Sequence, residues 1–242
     1  MSASKTMKIG ICYYITADYL PFALASLRSF RKFYPDMPAE IFSFQELPHI
    51  DEPSVQTVKV AQPIVLESIK ATVIRIKHLV HLNTDFDLFI LSDVDMFYNT
   101  NIDELIEKAK DGFICANQLS IQISYSLLEP HLTRYNTGFI VAMTEIKNQY
   151  FGDIYKWWNE EKTQVWSDMW IFNTWIHWQQ KSKGIIIPMY DIPEKYLWLI
   201  ENYPIPKTLE GKNYHLAFGN SLLDDPAYKE HPAIKEYLKL LK

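Results

Sequence analysis

An α/β fold, with a mostly parallel central sheet flanked by helices, follows from three features of the sequence. Short apolar runs of strand length alternate with helix-like stretches over about the first 100 residues, the pattern of βαβ units. The chain has 242 residues, 48% of them hydrophobic and 22% charged, which is enough to bury a full core and too apolar to remain disordered. It contains no internal repeat and no flexible linker. A single domain over 1–242, at most with a small appendage, is therefore expected.

Each element has its own justification. Residues 8–16 (KIGICYYIT) form an apolar run of strand length. Residues 18–34 follow with Leu20, Leu24, Leu27, Phe30 and Phe33 returning every three or four positions, a helical period. Pro21 sits where a first turn tolerates proline, and Pro35 and Pro38 end the helix. Strands are expected at 40–44 and 55–61. A long helix is expected at 63–82, with Ile69, Val73, Ile76 and Val80 on one face. Residues 87–98 (DLFILSDVDMFY) make a buried strand that runs into two acids. Beyond them the sequence predicts a short helix at 102–110, strands at 112–116 and 135–143, helices at 145–161 and 167–181, a strand at 185–189 and a last helix at 231–241.

Composition narrows the function classes. A net charge of −5 leaves no surplus of cations to displace counterions from a nucleic acid, so no nucleic-acid partner is expected. The two cysteines, Cys12 and Cys115, are far apart and lack metal-type spacing, which favours a reducing compartment over a disulfide framework. No run of about 20 apolar residues could span a bilayer. A cytoplasmic location is expected, with no transmembrane segment. The C-terminal stretch 236–242 (EYLKLLK) is weakly amphipathic. It suits either peripheral contact with a membrane or an ordinary packed helix.

The strongest local signal is Asp93-Val94-Asp95, which follows the apolar run of 88–91 after a single serine, Ser92. In a mostly parallel sheet, ligands gather at the carboxyl ends of strands, and these acids fall at such an end. Two carboxylates that can reach one point are hard oxygen ligands for Mg²⁺ or Mn²⁺, cations that also bind diphosphate oxygens. The plainer alternative is a pair of solvated aspartates starting a turn.

Asp-Val-Asp-Met at 93–96 after a buried strand resembles the metal motif of GT-A (Rossmann-like) nucleotide-diphospho-sugar glycosyltransferases. It is especially similar to that of the retaining α-galactosyl and blood-group transferases. The opening stretch KIGICYYITADYLPFALASLRSFRKFYP resembles that family's first strand and helix. Trp166-Ser-Asp168-Met-Trp-Ile-Phe-Asn173 is similar to its W-H-D-E-x-x-x-N segment. A looser similarity runs to the glycogenin-like and galactosyl-lipopolysaccharide transferases, whose arginine-bearing helix is echoed by Arg75 and Lys77. The sequence departs from the blood-group pattern at Met169, where that family carries glutamate, and at 116–120, where its H-P-G segment is missing.

The resemblance implies a hexosyltransferase with a donor-binding half at 8–116 and an acceptor-side half at 117–242. Its substrates would be a nucleotide-sugar donor, a UDP-sugar by analogy, and a glycan or glycolipid acceptor. Asp93, Asp95 and a late histidine, His215, would hold Mn²⁺ or Mg²⁺. Asp93, Arg75, Lys77, Asn136, Thr137 and Gly138 would contact the donor, Asp168 would serve the anomeric carbon, and Trp170 and Asn173 would face the acceptor.

Each assignment has a plainer counterpart. Arg75 and Lys77 can be cations on a solvated helix edge. Asp168 can be an anion favoured by helix dipoles after the N-cap residue Ser167. Asn136, Thr137 and Gly138 can form a turn before a strand, His215 can be structural, and the tryptophans between 157 and 198 can be core. Two other functions remain open. One is a non-catalytic sugar-nucleotide or glycan-binding protein, suggested by Met169. The other is a phosphohydrolase of the haloacid-dehalogenase type, which also carries D-x-D but on its first strand, with Thr or Val where this chain has Phe97.

Overall fold

A computed structural model describes residues 6–60, 84–118, 135–154, 156–157, 168–199, 208–209, 211–216 and 226–242. The apolar run at the N-terminus forms β1 (Ile9–Tyr14). A single 3₁₀ turn, Ala17–Tyr19, leads into α1 (Leu20–Arg31), with Pro21 in its first turn as expected. β2 (Ala39–Ser43) and β3 (Val55–Lys59) follow. Then come β4 (Leu88–Ser92), β5 (Met96–Phe97), α2 (Asp103–Lys110), β6 (Ile114–Gln118), β7 (Tyr135–Met143) and α3 (Thr144–Phe151). The chain closes with α4 (Asp168–Lys183), β8 (Met189–Asp191), β9 (Trp198–Leu199), β10 (Tyr214–His215) and α5 (Pro232–Leu240).

The main sheet has seven strands in the order β3-β2-β1-β4-β7-β6-β8, and β5, β10 and β9 form a second sheet of three. β1 pairs in parallel with β2, β2 with β3, and β6 with β8, whereas β6 and β7 are antiparallel. This is the expected α/β architecture with a mostly parallel central sheet. The helix expected at 63–82, which carries Arg75 and Lys77, lies outside the described residues. The single strand expected over 87–98 is broken: β4 ends at Ser92, a turn takes Asp93 to Asp95, and β5 belongs to the small sheet.

The strand expected at 185–189 also moves. Gly184, at φ 67°, ends α4 by donating to the carbonyl of Gln180 while Ile185 donates to that of Gln179. This left-handed cap uses the start of the apolar run. Ile186 is left 76% exposed, and pairing with β6 begins only at Met189.

The chain packs as two units interleaved in sequence. One comprises 1–9, 61–90 and 104–191, the other 10–60, 91–103 and 192–242. In the first, β7 is buried along nearly its whole length. Phe151 and Phe172 stack with centroids 4.9 Å apart, and Trp157, Trp175 and Trp178 form a cluster with centroids 5.1–5.7 Å apart. Trp175 donates its indole N–H to the carbonyl of Tyr150 at 2.8 Å, satisfying its polar edge within an apolar environment.

In the second unit, α1 buries Leu20, Ala23, Leu27 and Phe30 on one face, together with the small Ala25, Ser26 and Ser29. Ala25 meets Phe97, Tyr214, Leu216, Ala233, Ile234 and Tyr237 in one cluster. Ala233, Ile234 and Tyr237 of α5 are therefore packed into this core. Arg28 on the last turn of α1 donates to Glu52 at 2.7 Å and to the carbonyl of Leu240 at 2.7 Å, tying α1 to the end of α5. Among the described residues no helix is long and apolar enough to cross a membrane. Cys12 and Cys115 are buried thiols outside any disulfide, and burial pushes the Cys115 thiol up to about 12.

Candidate metal centre

The cluster formed by Asp93, Asp95 and His215 lies wholly within the second unit. Its assembly can be followed residue by residue. The apolar residues of β4 bury the strand, and the chain turns at its carboxyl end, so both acids leave the ladder. β5 then pairs antiparallel with β10, Met96 opposite His215 and Phe97 opposite Tyr214. Side chains alternate across a strand. Tyr214 and Leu216 enter the core beside Phe97, so His215 faces the other way, toward the acids. Its Nε2 stands 3.2 Å from Asp95 Oδ1 and 3.5 Å from Asp93 Oδ2. One ligand atom from each residue lies within 4.8 Å of the other two.

The backbone of the acidic turn is held at every carbonyl. Ser92 Oγ donates to the carbonyl of Asp93 at 2.9 Å. Tyr237 Oη is 2.5 Å from the carbonyl of Val94. Leu216 N–H donates to the carbonyl of Asp95 at 2.8 Å. Ser92 is itself held by Tyr98 Oη at 2.8 Å, and Tyr98 N–H donates to Ser29 Oγ on α1. Burial pushes the Tyr98 and Tyr237 phenols well above their ordinary value, so both keep the proton they donate. Just before β10, Asn213 Oδ1 accepts from the amides of Asn99 and Thr100 at 2.9 and 3.0 Å. The sequence marked none of Ser92, Tyr98, Asn213 and Tyr237 as part of this site.

Electrostatics favour a cation at the cluster. Burial by itself would push the His215 imidazole down, but the Asp95 and Asp93 carboxylates outweigh it and raise the group to about 10. The acids thus create a potential strong enough to retain a proton on a buried ring. A divalent ion would compete for the same place. Two carboxylates and one imidazole nitrogen suit Mn²⁺ or Mg²⁺, with coordination positions left for phosphate oxygens. His215 Nδ1 is buried and has no hydrogen-bond partner among the described residues, so Nε2 is the atom offered to the cluster.

The remaining site residues expected from sequence fall in the first unit or outside the described residues. Arg75 and Lys77 are outside them. Asn136, Thr137 and Gly138 open β7: Asn136 Oδ1 accepts from Gly138 N–H at 2.6 Å, and Thr137 is buried. The β6–β7 ladder shifts register between Ala116 and Asn117, across from this stretch. Irregularities of this kind re-aim side chains beside binding sites. Asp168 begins α4, with Trp170 in the same turn.

Asn173 is 2% exposed, and its amide already has backbone partners. Oδ1 accepts from Tyr135 N–H at 2.7 Å, and Nδ2 donates to the carbonyls of Tyr135 and Met169 at 2.8 and 2.7 Å. This clamp fixes the start of β7 to α4. Asn173→Ala removes three hydrogen bonds of a buried amide, between α4 and β7 or within α4, and is expected to lower stability by about 2 kcal/mol or more in urea denaturation.

The fold is that of GT-A glycosyltransferases. The chain is similar to a crystal structure of the galactosyltransferase LgtC in complex with donor and acceptor sugar analogs, at 11% identity and a TM-score of 0.69, over 96% of this chain and 95% of that one. A crystal structure of an active-site mutant of LgtC matches at 12% identity and a TM-score of 0.60, over 93% and 83%. The apo structure of the bifunctional glycosyltransferase WbbM matches at 11% identity and a TM-score of 0.67, over all of this chain and 50% of that one. No family model matches the sequence, and no curated protein does either.

Proposed function

We propose that this protein is a metal-dependent glycosyltransferase that moves a hexosyl group from a UDP-sugar to a glycan or glycolipid acceptor, with retention of anomeric configuration. The observation that carries this reading is the Asp93–Asp95–His215 cluster after β4 in a chain with the GT-A fold. The complex of LgtC with donor and acceptor sugar analogs lends the substrate classes. Retention and the choice of uridine rest on the likeness of residues 93–96 and 166–173 to the retaining transferases.

In sugar transfer the bond from C1 to the diphosphate oxygen breaks. The acceptor oxygen takes its place, and the acceptor's proton leaves with the nucleoside diphosphate. Negative charge grows on the diphosphate, so stabilisation is most effective there. When bound, Mn²⁺ or Mg²⁺ would neutralise that charge as a Lewis acid. Asp93, Asp95 and His215 Nε2 would hold it, and Asp93 would also face the donor. Arg75 and Lys77 are assigned to the phosphates. Asn136, Thr137 and Gly138 are assigned to the donor sugar and Trp170 to the acceptor side; the acceptor role expected for Asn173 is not retained, because its amide is buried and bonded to the backbone of Tyr135 and Met169. Asp168 is assigned to the anomeric centre, where a carboxylate stabilises oxocarbenium-like charge.

The phosphohydrolase alternative calls for acids on the first strand, whereas Asp93 and Asp95 follow β4. A thermal-shift screen of UDP-sugars with and without Mn²⁺ tests the proposal. A cognate donor at about 100 times its Kd adds about 2.7 kcal/mol of stability, and UDP should then be released when an acceptor is supplied. Donor binding without UDP release across a range of acceptors would instead identify a binding protein. No binding of any nucleotide sugar would end both readings.

A further inference from the structure

We propose that Tyr237 is a positioning residue for the metal centre: its hydroxyl fixes the Val94 peptide and thereby the separation of the two carboxylates on either side of it. This rests on the metal-binding reading above.

The argument begins with what the position requires. Tyr237 is fully buried on α5, among Ala25, Phe97, Tyr214 and Ile234. Phenylalanine would fill that space equally well. A buried hydroxyl costs free energy unless it is bonded, and this one meets two carbonyls. Tyr237 Oη is 2.5 Å from Val94 O and 2.8 Å from Phe22 O. It carries one proton, so the two acceptors share it, with the shorter contact on the acidic turn.

The Val94 carbonyl belongs to the peptide whose nitrogen is that of Asp95. Rotation of this peptide changes φ of Asp95 and ψ of Val94, and swings the Asp95 carboxylate relative to Asp93. The neighbouring carbonyls have other anchors: Ser92 Oγ at Asp93 and Leu216 N–H at Asp95. Tyr237 supplies the bond at the central peptide, from 143 positions further along the chain. The acids are thus set at the spacing that brings both within reach of His215 Nε2 before any ion arrives. Groups that orient metal ligands in this way typically command about 10–100-fold in metal affinity.

The test compares Tyr237→Phe with Tyr34→Phe in the whole protein. Tyr34 also lies in the second unit, where its hydroxyl donates to Asp103 and accepts from Ile102 N–H. Its loss therefore measures what removing a hydroxyl does to the fold alone. Mn²⁺ binding in the presence of UDP is followed by the loss of the free-ion electron paramagnetic resonance signal, well below the melting temperature. Tyr237→Phe is expected to weaken Mn²⁺ binding about tenfold or more without lowering the number of sites at saturation, and Tyr34→Phe to leave it within about a factor of two. A loss of folded fraction would lower the number of sites instead. Equal Mn²⁺ affinity in Tyr237→Phe and the unaltered protein overturns the positioning role while leaving the metal centre standing. Absence of Mn²⁺ binding by the unaltered protein overturns both.

Discussion

Asp95→Asn is expected to lower metal-dependent sugar transfer by about 10²–10³-fold, the loss seen when a group stabilising transition-state charge is removed. The substitution keeps the shape of the side chain and leaves the backbone bond from Leu216 to the Asp95 carbonyl in place. Only the charge changes, so the fold should survive. Asp95 is also the largest favourable influence on the raised His215 imidazole, whose burial works in the opposite direction. The variant should therefore show the imidazole titrating lower in metal-free protein, observable by NMR of the ring protons. Mn²⁺ affinity should fall in the same samples. A variant that transfers sugar at the original rate while its Mn²⁺ affinity falls would remove the metal from the reaction, and one with both unchanged would remove Asp95 from the metal centre.

Mn²⁺ affinity should rise steeply with pH. In metal-free protein the His215 group lies at about 10, so at neutral pH the ring carries a proton that must leave before Nε2 can ligate. Displacement of one proton makes the apparent affinity grow about tenfold per pH unit, or about a hundredfold from pH 6 to 8. Calorimetry in two buffers of different ionisation enthalpy would count the proton released.

Linkage gives a companion result for stability without metal. The folded-state value is raised above that of the unfolded chain. The contribution of His215 is therefore full below about 6.5, the unfolded value, and is lost as pH rises through about 10. Without metal the protein should become less resistant to urea across that window, and Asp95→Asn should flatten the change. A pH-independent Mn²⁺ affinity would mean that Nε2 is not a ligand.

How much of this was legible in sequence differs by element. β1, α1 and β7 announce themselves because burial on one or both faces leaves a period in the residues. The acids after β4 were legible because a charged pair directly after a fully apolar strand marks its carboxyl end. The break at 93–95 was not legible: β5, β9 and β10 are two residues long, too short to show any alternation. The sheet they form is specified by pairing between distant segments.

His215 was singled out through family likeness, and its orientation became clear only with Tyr214 and Leu216 assigned to the core. Asn173 looked like a candidate sugar contact because an amide is equally suited to backbone. Tyr237 left no signal at all. An aromatic residue on the apolar face of a helix has the same pattern whether or not its hydroxyl has work to do. The run at 185–189 misled because Ile185 closes a helix cap and Ile186 is exposed, so that only Met189 enters a strand.

The interleaving of the second unit sets an order of events during synthesis. A ribosome translating this chain releases Asp93 and Asp95 long before it has made His215, and Tyr237 emerges later still. Until then the acids lack both the imidazole that pairs with them in the folded protein and the Tyr237 hydroxyl bonded to the peptide between them. Closure over such sequence separations is slow relative to local helix formation. If the cluster binds a metal as proposed, ion capture is expected to be a late step in maturation, one that arrested nascent chains of increasing length would locate.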